Sequence, residues 1–478
     1  MHDVLIIGAG ITGTLIAREL SRYQLDIAVL EKSNDVGNKT TSANSAIIHS
    51  GCDPEPGTNK AKFNILGNPM FDELAKQLDV KFQRNGSLTV ALSDEQLDAL
   101  SLLEERSKLN GVLYKRLTKE EALEIEPHLS TNVKGALFFP TAGIIDPFNL
   151  CVHAMENAID NGTHLFLNQE VINISKRNEI YVIKTKNDEF SARIVINAAG
   201  NYADVIAQMI EPIDWNLTPR KGEYFILDHF GNDFVKHTIF PLPSKKGKGV
   251  LVSPTTSENY IVGPSSEVIP DRDDYSTDGL TLQNIKQQAL SMVPEIPFGK
   301  VIRVFSGLRP SCSRHDFIIE YAKTDGHFIN VAGIESPGLV SAPAIAKYVV
   351  EELVKPLLTL KPKNIFSPYV RPYSHPNEMS DEERDLLIKN NPEYGQLVCT
   401  CEKVTLGEIN DILSRSCPPH SIKGVKRRTR AGFGRCQGGF CQPKIVFLLA
   451  NHYDISPLEV PLDDNDSPIL ISRIKEVK

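Results

Sequence analysis

The chain opens with "DVLIIGAGITGTLIAREL", and few stretches restrict a fold more tightly. Val4 to Ile7 is a short apolar run suited to a strand buried on both faces of a parallel sheet. Gly8, Gly10 and Gly13 follow in G-x-G-x-x-G spacing, and "TGTLIARELSRY" carries helical periodicity. A second apolar run, "DIAVLEK", reaches Glu31, 18 residues past Gly13. Strand, glycines, helix, strand and acid in this order predict a βαβ unit that binds a dinucleotide. Gly8 permits the tight turn, Gly10 lets the backbone approach a pyrophosphate, and Gly13 lets helix and strand pack closely. The pyrophosphate belongs at the helix N-terminus, around Ile11 and Thr12, with Glu31 and Lys32 at the adenosine ribose. The competing reading is a glycine turn in an ordinary βαβ unit. Neither reading chooses between NAD and FAD.

A chain of 478 residues is too long for one core, so two or three domains are expected. A net charge of -8 argues against an extended nucleic-acid surface. No run approaches the roughly 20 apolar residues needed to cross a bilayer, and no secretory leader opens the sequence. The expected setting is the cytoplasm, peripheral to a membrane at most through a partner. There, cysteines read as thiols or metal ligands and not as a disulfide framework.

Beyond the first βαβ unit, "TTSANSAIIHSGCDPEPGTNKAKFNILGN" (Thr40 to Asn68) resembles a segment of the FAD-dependent glycerol-3-phosphate dehydrogenase/oxidase family, within the D-amino-acid-oxidase-like flavoenzymes. L-2-hydroxyglutarate oxidases are similar more loosely. Colinear matches follow at "RIVINAAGNYAD", "PRKGEYFIL", "GKGVLVSPT", "FSGLRP" and "VAGIESPGLVSAPAIA", spanning roughly residues 1 to 360. The resemblance implies FAD and an α/β fold. A Rossmann-like FAD-binding domain would be assembled from residues 1–80, 145–210 and 325–355. An α+β antiparallel-sheet substrate domain would come from 81–144 and 211–324. Runs such as "GSLTVAL", "GALFFP", "GEYFIL" and "NYIVG" read independently as its strands. Capping-box starts are read at Ser93/Gln96 and Thr118/Glu121. It also implies FAD contacts at Thr41, Ser42, Ala43, Asn44, Ser45, Val171, Ala199, Gly200, Gly307, Ser336, Pro337, Gly338 and Leu339.

The same resemblance assigns chemistry. His49 in "AIIHSG" is the expected base beside the flavin, and Arg309 in "SGLRP" the expected substrate-anion ligand. Lys248 in "KGKGV" is a third candidate near substrate. From sequence alone each has an ordinary structural alternative: a packed histidine, a salt-bridged arginine, a solvated loop lysine.

The composition shifts after Lys355. Residues 361–395 are proline-rich and read as a linker with one capped helix. Residues 396–455 then read as a compact module, and 456–478 as a tail. Four of the eight cysteines fall in the module: Cys399-x-Cys401, then Cys436-x4-Cys441. That spacing is neither a zinc ribbon nor a plant-type ferredoxin. It resembles the bacterioferritin-associated-ferredoxin-like 2Fe–2S module, which implies a small helical fold with these four cysteines as cluster ligands. Structural zinc is the alternative. Lys423, Lys426, Arg427, Arg428, Arg430 and Arg435 lie between and beside the ligands without an intervening acid. They read as electrostatic support for an anionic cluster.

Taken together, the expectation is an FAD- and 2Fe–2S-dependent dehydrogenase for a small anionic hydroxy compound, with sn-glycerol 3-phosphate leading. Its expected partner is an electron acceptor: a quinone, a redox protein or a partner subunit in a hetero-oligomer. L-2-hydroxyglutarate or a related 2-hydroxy or amino acid is the rival substrate, and a metal- or redox-sensing protein the non-enzyme rival.

Overall fold

The computed structural model describes residues 1–231, 234–243 and 249–473. The His2–Ile7 strand lies between Ile27–Leu30 and Glu189–Asn197, parallel to both, in an eight-stranded sheet. His164–Phe166 extends it on one side, and Phe328–Ala332 pairs in parallel with Glu189–Asn197 on the other. These strands are continuous apolar runs because helices cover them: Ile11–Leu20, Pro147–Asp160 and Gly338–Tyr348 share one core with them. The helix Ile11–Leu20 crosses the first strand so tightly that a Cβ on Gly13 would sit 2.0 Å from the Gly8 carbonyl oxygen. No side chain fits there.

A second, nine-stranded and mainly antiparallel sheet takes its strands from two separated stretches, Ser87 to Phe139 and Leu217 to Cys312. Its longest pair, Leu217–Leu227 against Val301–Cys312, faces the first sheet across the large cavity of the molecule. The helix Lys119–Ile125 begins with the expected Thr118/Glu121 capping box. Ser93 makes no side-chain cap bond, its hydroxyl going to the Glu95 carboxylate, while the Gln96 side chain accepts from the Leu92 N–H at 2.6 Å.

The segment boundaries read from sequence need correcting in three places. Ile318–Tyr321, grouped with the substrate domain, forms a hairpin with Phe328–Ala332 and so joins the first sheet. The stretch read as a linker is held down: Val370 enters the main core and Tyr373 packs against the module core. The described part of the stretch read as a tail, residues 456–473, is also anchored, with Val460 in that core and Leu462 and Ile469 against it. Prolines and weak periodicity look like a linker, but an extended segment buries its side chains without any period to announce it. Among the described residues, no helix is long and apolar enough to cross a membrane.

Candidate functional site

A cavity of about 820 Å³ runs between the two sheets. At one end stands the N-terminus of the helix Ile11–Leu20. Gly10 caps it without a side chain, so first-turn N–H groups remain for an anion. The Ile11 N–H is held by the Thr41 hydroxyl at 3.0 Å, which ties the Thr40–Ser42 turn to the helix. Glu31 lies just beyond, where its carboxylate accepts from the Ala9 N–H at 2.8 Å and the Ser33 N–H at 2.9 Å. Burial pushes its carboxyl up, and these two donors act against that rise. The Lys32 ammonium rests 3.9 Å from the centre of the Tyr202 ring.

Of the residues assigned to the cofactor from sequence, all but Gly13 and Ser42 line this cavity. Gly13 acts through packing. Ser42 turns its hydroxyl into its own loop, to the Asn38 and Lys39 carbonyls. Gly307 has a closer constraint than sequence suggested: a Cβ there would lie 2.0 Å from the Ala43 carbonyl oxygen. The loop 40–45 is thereby pressed onto the Val301–Cys312 strand.

At the other end, His49 and Arg309 both line the cavity. The His49 carbonyl accepts from the Asn64 and Asn68 side-chain amides, both at 2.9 Å, and its ring lies 5.8 Å from that of Phe240. Lys248 lies outside the described residues. Arg309 donates to the carbonyls of Ser265 at 2.7 Å and of Arg220 and Lys221 at 3.3 Å. Burial lowers its pKa from the ordinary value.

Sequence reasoning missed its neighbour. Arg220 is the direct cross-strand partner of Arg309 and lines the same cavity. Like charges opposed across a ladder are destabilising, and among the described residues neither guanidinium makes a close ion pair with a carboxylate, although Glu335 acts favourably on Arg309 from farther off. An anion between or beside them would relieve that repulsion. "PRKGEYFIL" and "SGLRP" each displayed one arginine, but only the strand register puts the two together.

In the module the sulfurs meet in two pairs. Cys401 Sγ and Cys436 Sγ are 3.7 Å apart, and the Cys399 and Cys441 thiols hydrogen-bond to one another. A tetrahedral ion with bonds of ~2.3 Å to sulfur sets its ligand sulfurs roughly 3.8 Å apart. Two pairs suit two metal ions. Among the described residues no three His, Cys, Asp or Glu side chains gather as a single-ion site. The contact with Cys441 brings the Cys399 thiol down to about 6, with the Gly432 and Glu402 N–H groups adding to the effect against burial. The N–H groups of Gly438 and Gly439 point at Cys436. Gly434 instead packs its Cα against Cys401, where a Cβ would meet the Cys401 Cβ at 2.4 Å.

The basic run does not mainly serve the sulfurs. Arg428 forks onto Asp35 with both contacts at 2.7 Å, and Arg427 reaches the same carboxylate at 3.2 Å. Lys423 pairs with Asp463, Arg430 with Glu402, and Arg435 with Asp228. Of the six, Lys426 remains near Cys441, beside Arg303. Burial and these neighbouring cations bring its ammonium down to about 7. Asp35 follows Glu31 by four residues, so the run docks the module onto the loop at the cofactor end of the cavity. Cys417 is a buried thiol under Arg428, pushed up to about 12 by burial.

The sequence pattern of the family described as FAD dependent oxidoreductase matches residues 3–352, and that of the BFD-like [2Fe-2S] binding domain matches 397–451. The chain is 45% identical over 477 residues to a glycerol 3-phosphate dehydrogenase of Caloramator mitchellensis, covering 99% of each. It is 35% identical over 371 residues to a glycerol 3-phosphate oxidase of Mycoplasma genitalium, covering 76% of this chain and 95% of that one. Among solved structures it is similar to the dithionite-reduced L-alpha-glycerophosphate oxidase of Mycoplasma pneumoniae with FAD bound. The TM-score is 0.75 at 32% identity, over 78% of this chain and 99% of that one.

Proposed function

From a chain that belongs to the FAD-dependent oxidoreductase family and carries a BFD-like [2Fe-2S] binding domain, we propose an sn-glycerol 3-phosphate dehydrogenase that forms dihydroxyacetone phosphate. The observation that carries the substrate is the Arg220–Arg309 cross-strand pair in the cavity wall. A phosphate monoester brings close to two negative charges to one point at neutral pH, which suits two adjacent guanidinium groups. L-2-hydroxyglutarate spreads the same charge over both its ends. The relatives named for glycerol 3-phosphate support the same choice.

The cavity fits FAD: an open helix N-terminus for pyrophosphate, Glu31 at the ribose end, and a channel about 820 Å³ in volume leading to His49. The sulfur pairs fit a two-iron cluster through Cys399, Cys401, Cys436 and Cys441. When bound, FAD supplies a two-electron acceptor and the cluster a one-electron relay. Arg220 and Arg309 hold the phosphate and thereby fix the distance from phosphorus to the secondary alcohol. His49, its backbone pinned by two amides, takes the hydroxyl proton as the carbinol hydrogen leaves. The module's docking beside the cofactor loop supports transfer of the electrons onward to an acceptor.

Anaerobic titration of the purified protein tests this reading. sn-Glycerol 3-phosphate should bleach the flavin and develop the electron-paramagnetic-resonance signal of a reduced [2Fe–2S] cluster. Bleaching by L-2-hydroxyglutarate and not by glycerol 3-phosphate would reassign the substrate.

A further inference from the structure

The four cysteine sulfurs are not equally accessible. Cys399 and Cys441 are buried in the module core, Cys401 is exposed and Cys436 half-buried. Beside that open edge a stripe runs along the outer face of the helix Gln442–Tyr453. Pro443, Lys444 and Phe447 share that face by helical spacing, Phe440 stands in the turn just before the helix, and all four are exposed, while Ile445, Val446 and Leu449 face inward. Phe440 is 81% and Phe447 58% exposed. Lys444 Nζ donates to the Leu397 carbonyl at 3.4 Å, which adds Leu397, 49% exposed, to the edge of the stripe. Lys403 and Arg435 are exposed next to the ligands Cys401 and Cys436, Arg435 remaining 74% exposed in its 3.3 Å pair with Asp228.

Exposed apolar side chains scattered singly need no explanation, but a contiguous group with a charged rim marks an interaction site. This one lies on the accessible side of the sulfurs, and its rim is cationic although the chain as a whole carries -8. We propose that this face docks a small acidic one-electron carrier protein. The proposal deepens the functional reading above and rests on its assignment of the four cysteines to a cluster.

Opposite charge would steer the carrier, and the aromatic centre would exclude water at contact. A stripe of four apolar side chains and a few cations fits the small interfaces of transient electron-transfer encounters, not those of permanent subunits. Each alcohol oxidised to a ketone releases two electrons and two protons. The protons go to solvent, and two oxidised carriers are each reduced by one electron in successive encounters.

The probe is an oxidised acidic [2Fe–2S] ferredoxin, its binding to the holoenzyme followed by calorimetry at two salt concentrations. Lys444→Glu and Phe447→Ser should each weaken binding about tenfold, and added salt should weaken the wild-type complex. The cluster's resonance signal and the dye-linked oxidation of glycerol 3-phosphate should stay as in wild type. Ferredoxin binding that ignores both substitutions, or equal binding of a basic cytochrome c, would overturn the docking surface. So would self-association, or binding to phosphatidylglycerol vesicles, that disappears in Phe447→Ser, since a second copy or a membrane would then be the occupant. A wild-type protein with no cluster signal would overturn the functional reading and this proposal together, and that failure is separate because it appears before any variant is made.

Discussion

The cavity wall and the module interface both concentrate arginines, and they treat the charge in opposite ways. Arg220 and Arg309 face each other across a ladder and make no close ion pair with a carboxylate among the described residues. At the interface Arg428, 2% exposed, meets Asp35, 1% exposed, and Arg415 meets Glu156 in equally complete burial. Burial pushes the Asp35 carboxyl up, but the Arg428 fork more than offsets this and holds it below the ordinary range. A cation whose anion is part of the chain is architecture. A pair of cations lacking one is a request for a ligand.

The largest effect should come from the unpartnered pair. Arg309→Leu is expected to lower kcat/KM for glycerol 3-phosphate by about 10²–10³-fold, as loss of a charge-paired contact does. Flavin content should be unchanged, and steady-state kinetics with absorbance spectra will show both. If the loss is matched for the neutral triol glycerol, Arg309 does not act through the phosphate.

Breaking the partnered set should affect stability instead. Asp35→Leu leaves Arg428 buried without its anion and is expected to cost about 3–5 kcal/mol in denaturant unfolding. The double variant Asp35→Leu/Arg428→Met should recover much of that. Equal losses in the single and double variants would mean that Arg428 does not depend on Asp35.

A pH effect should appear at the same seam. His153 is buried, stacks on Tyr373 at 4.2 Å, and is brought down to about 3 chiefly by burial. Its folded pKa lies below its unfolded one, so its contribution is complete above about pH 6.5 and declines as the pH falls toward 3. The slope is at most about 1.4 kcal/mol per pH unit, or roughly 2 kcal/mol between pH 6.5 and 5. Thermal unfolding across that range should show it, and His153→Gln should flatten the curve.

The smallest effect belongs to Arg435, which is 74% exposed in its pair with Asp228. Arg435→Ala should change stability by less than about 0.5 kcal/mol. A larger loss would show that exposure does not separate the two kinds of arginine.

Local order carried much of this molecule into its sequence. The strand–glycine–helix–strand–acid series predicts the first βαβ unit because each step is a contact between near neighbours. The same holds for the Thr118/Glu121 capping box, which closes within one turn. The basic run was legible as a run but not in its purpose, since Asp35 lies 393 residues from Arg428. Ser93 has the spacing of a cap, but its hydroxyl bonds the Glu95 side chain instead.

By itself, then, the sequence determined the periodicities, the glycine spacings and the supply of thiols and cations. All of these follow from neighbouring residues competing for the same hydrogen bonds and the same face. Only the tertiary structure decided which charges were neutralised, because an ion pair is fixed by which distant surfaces are buried together. It set Arg220 opposite Arg309, closed Asp35 over Arg428, and left the Phe440 edge of the sulfur loop facing solvent.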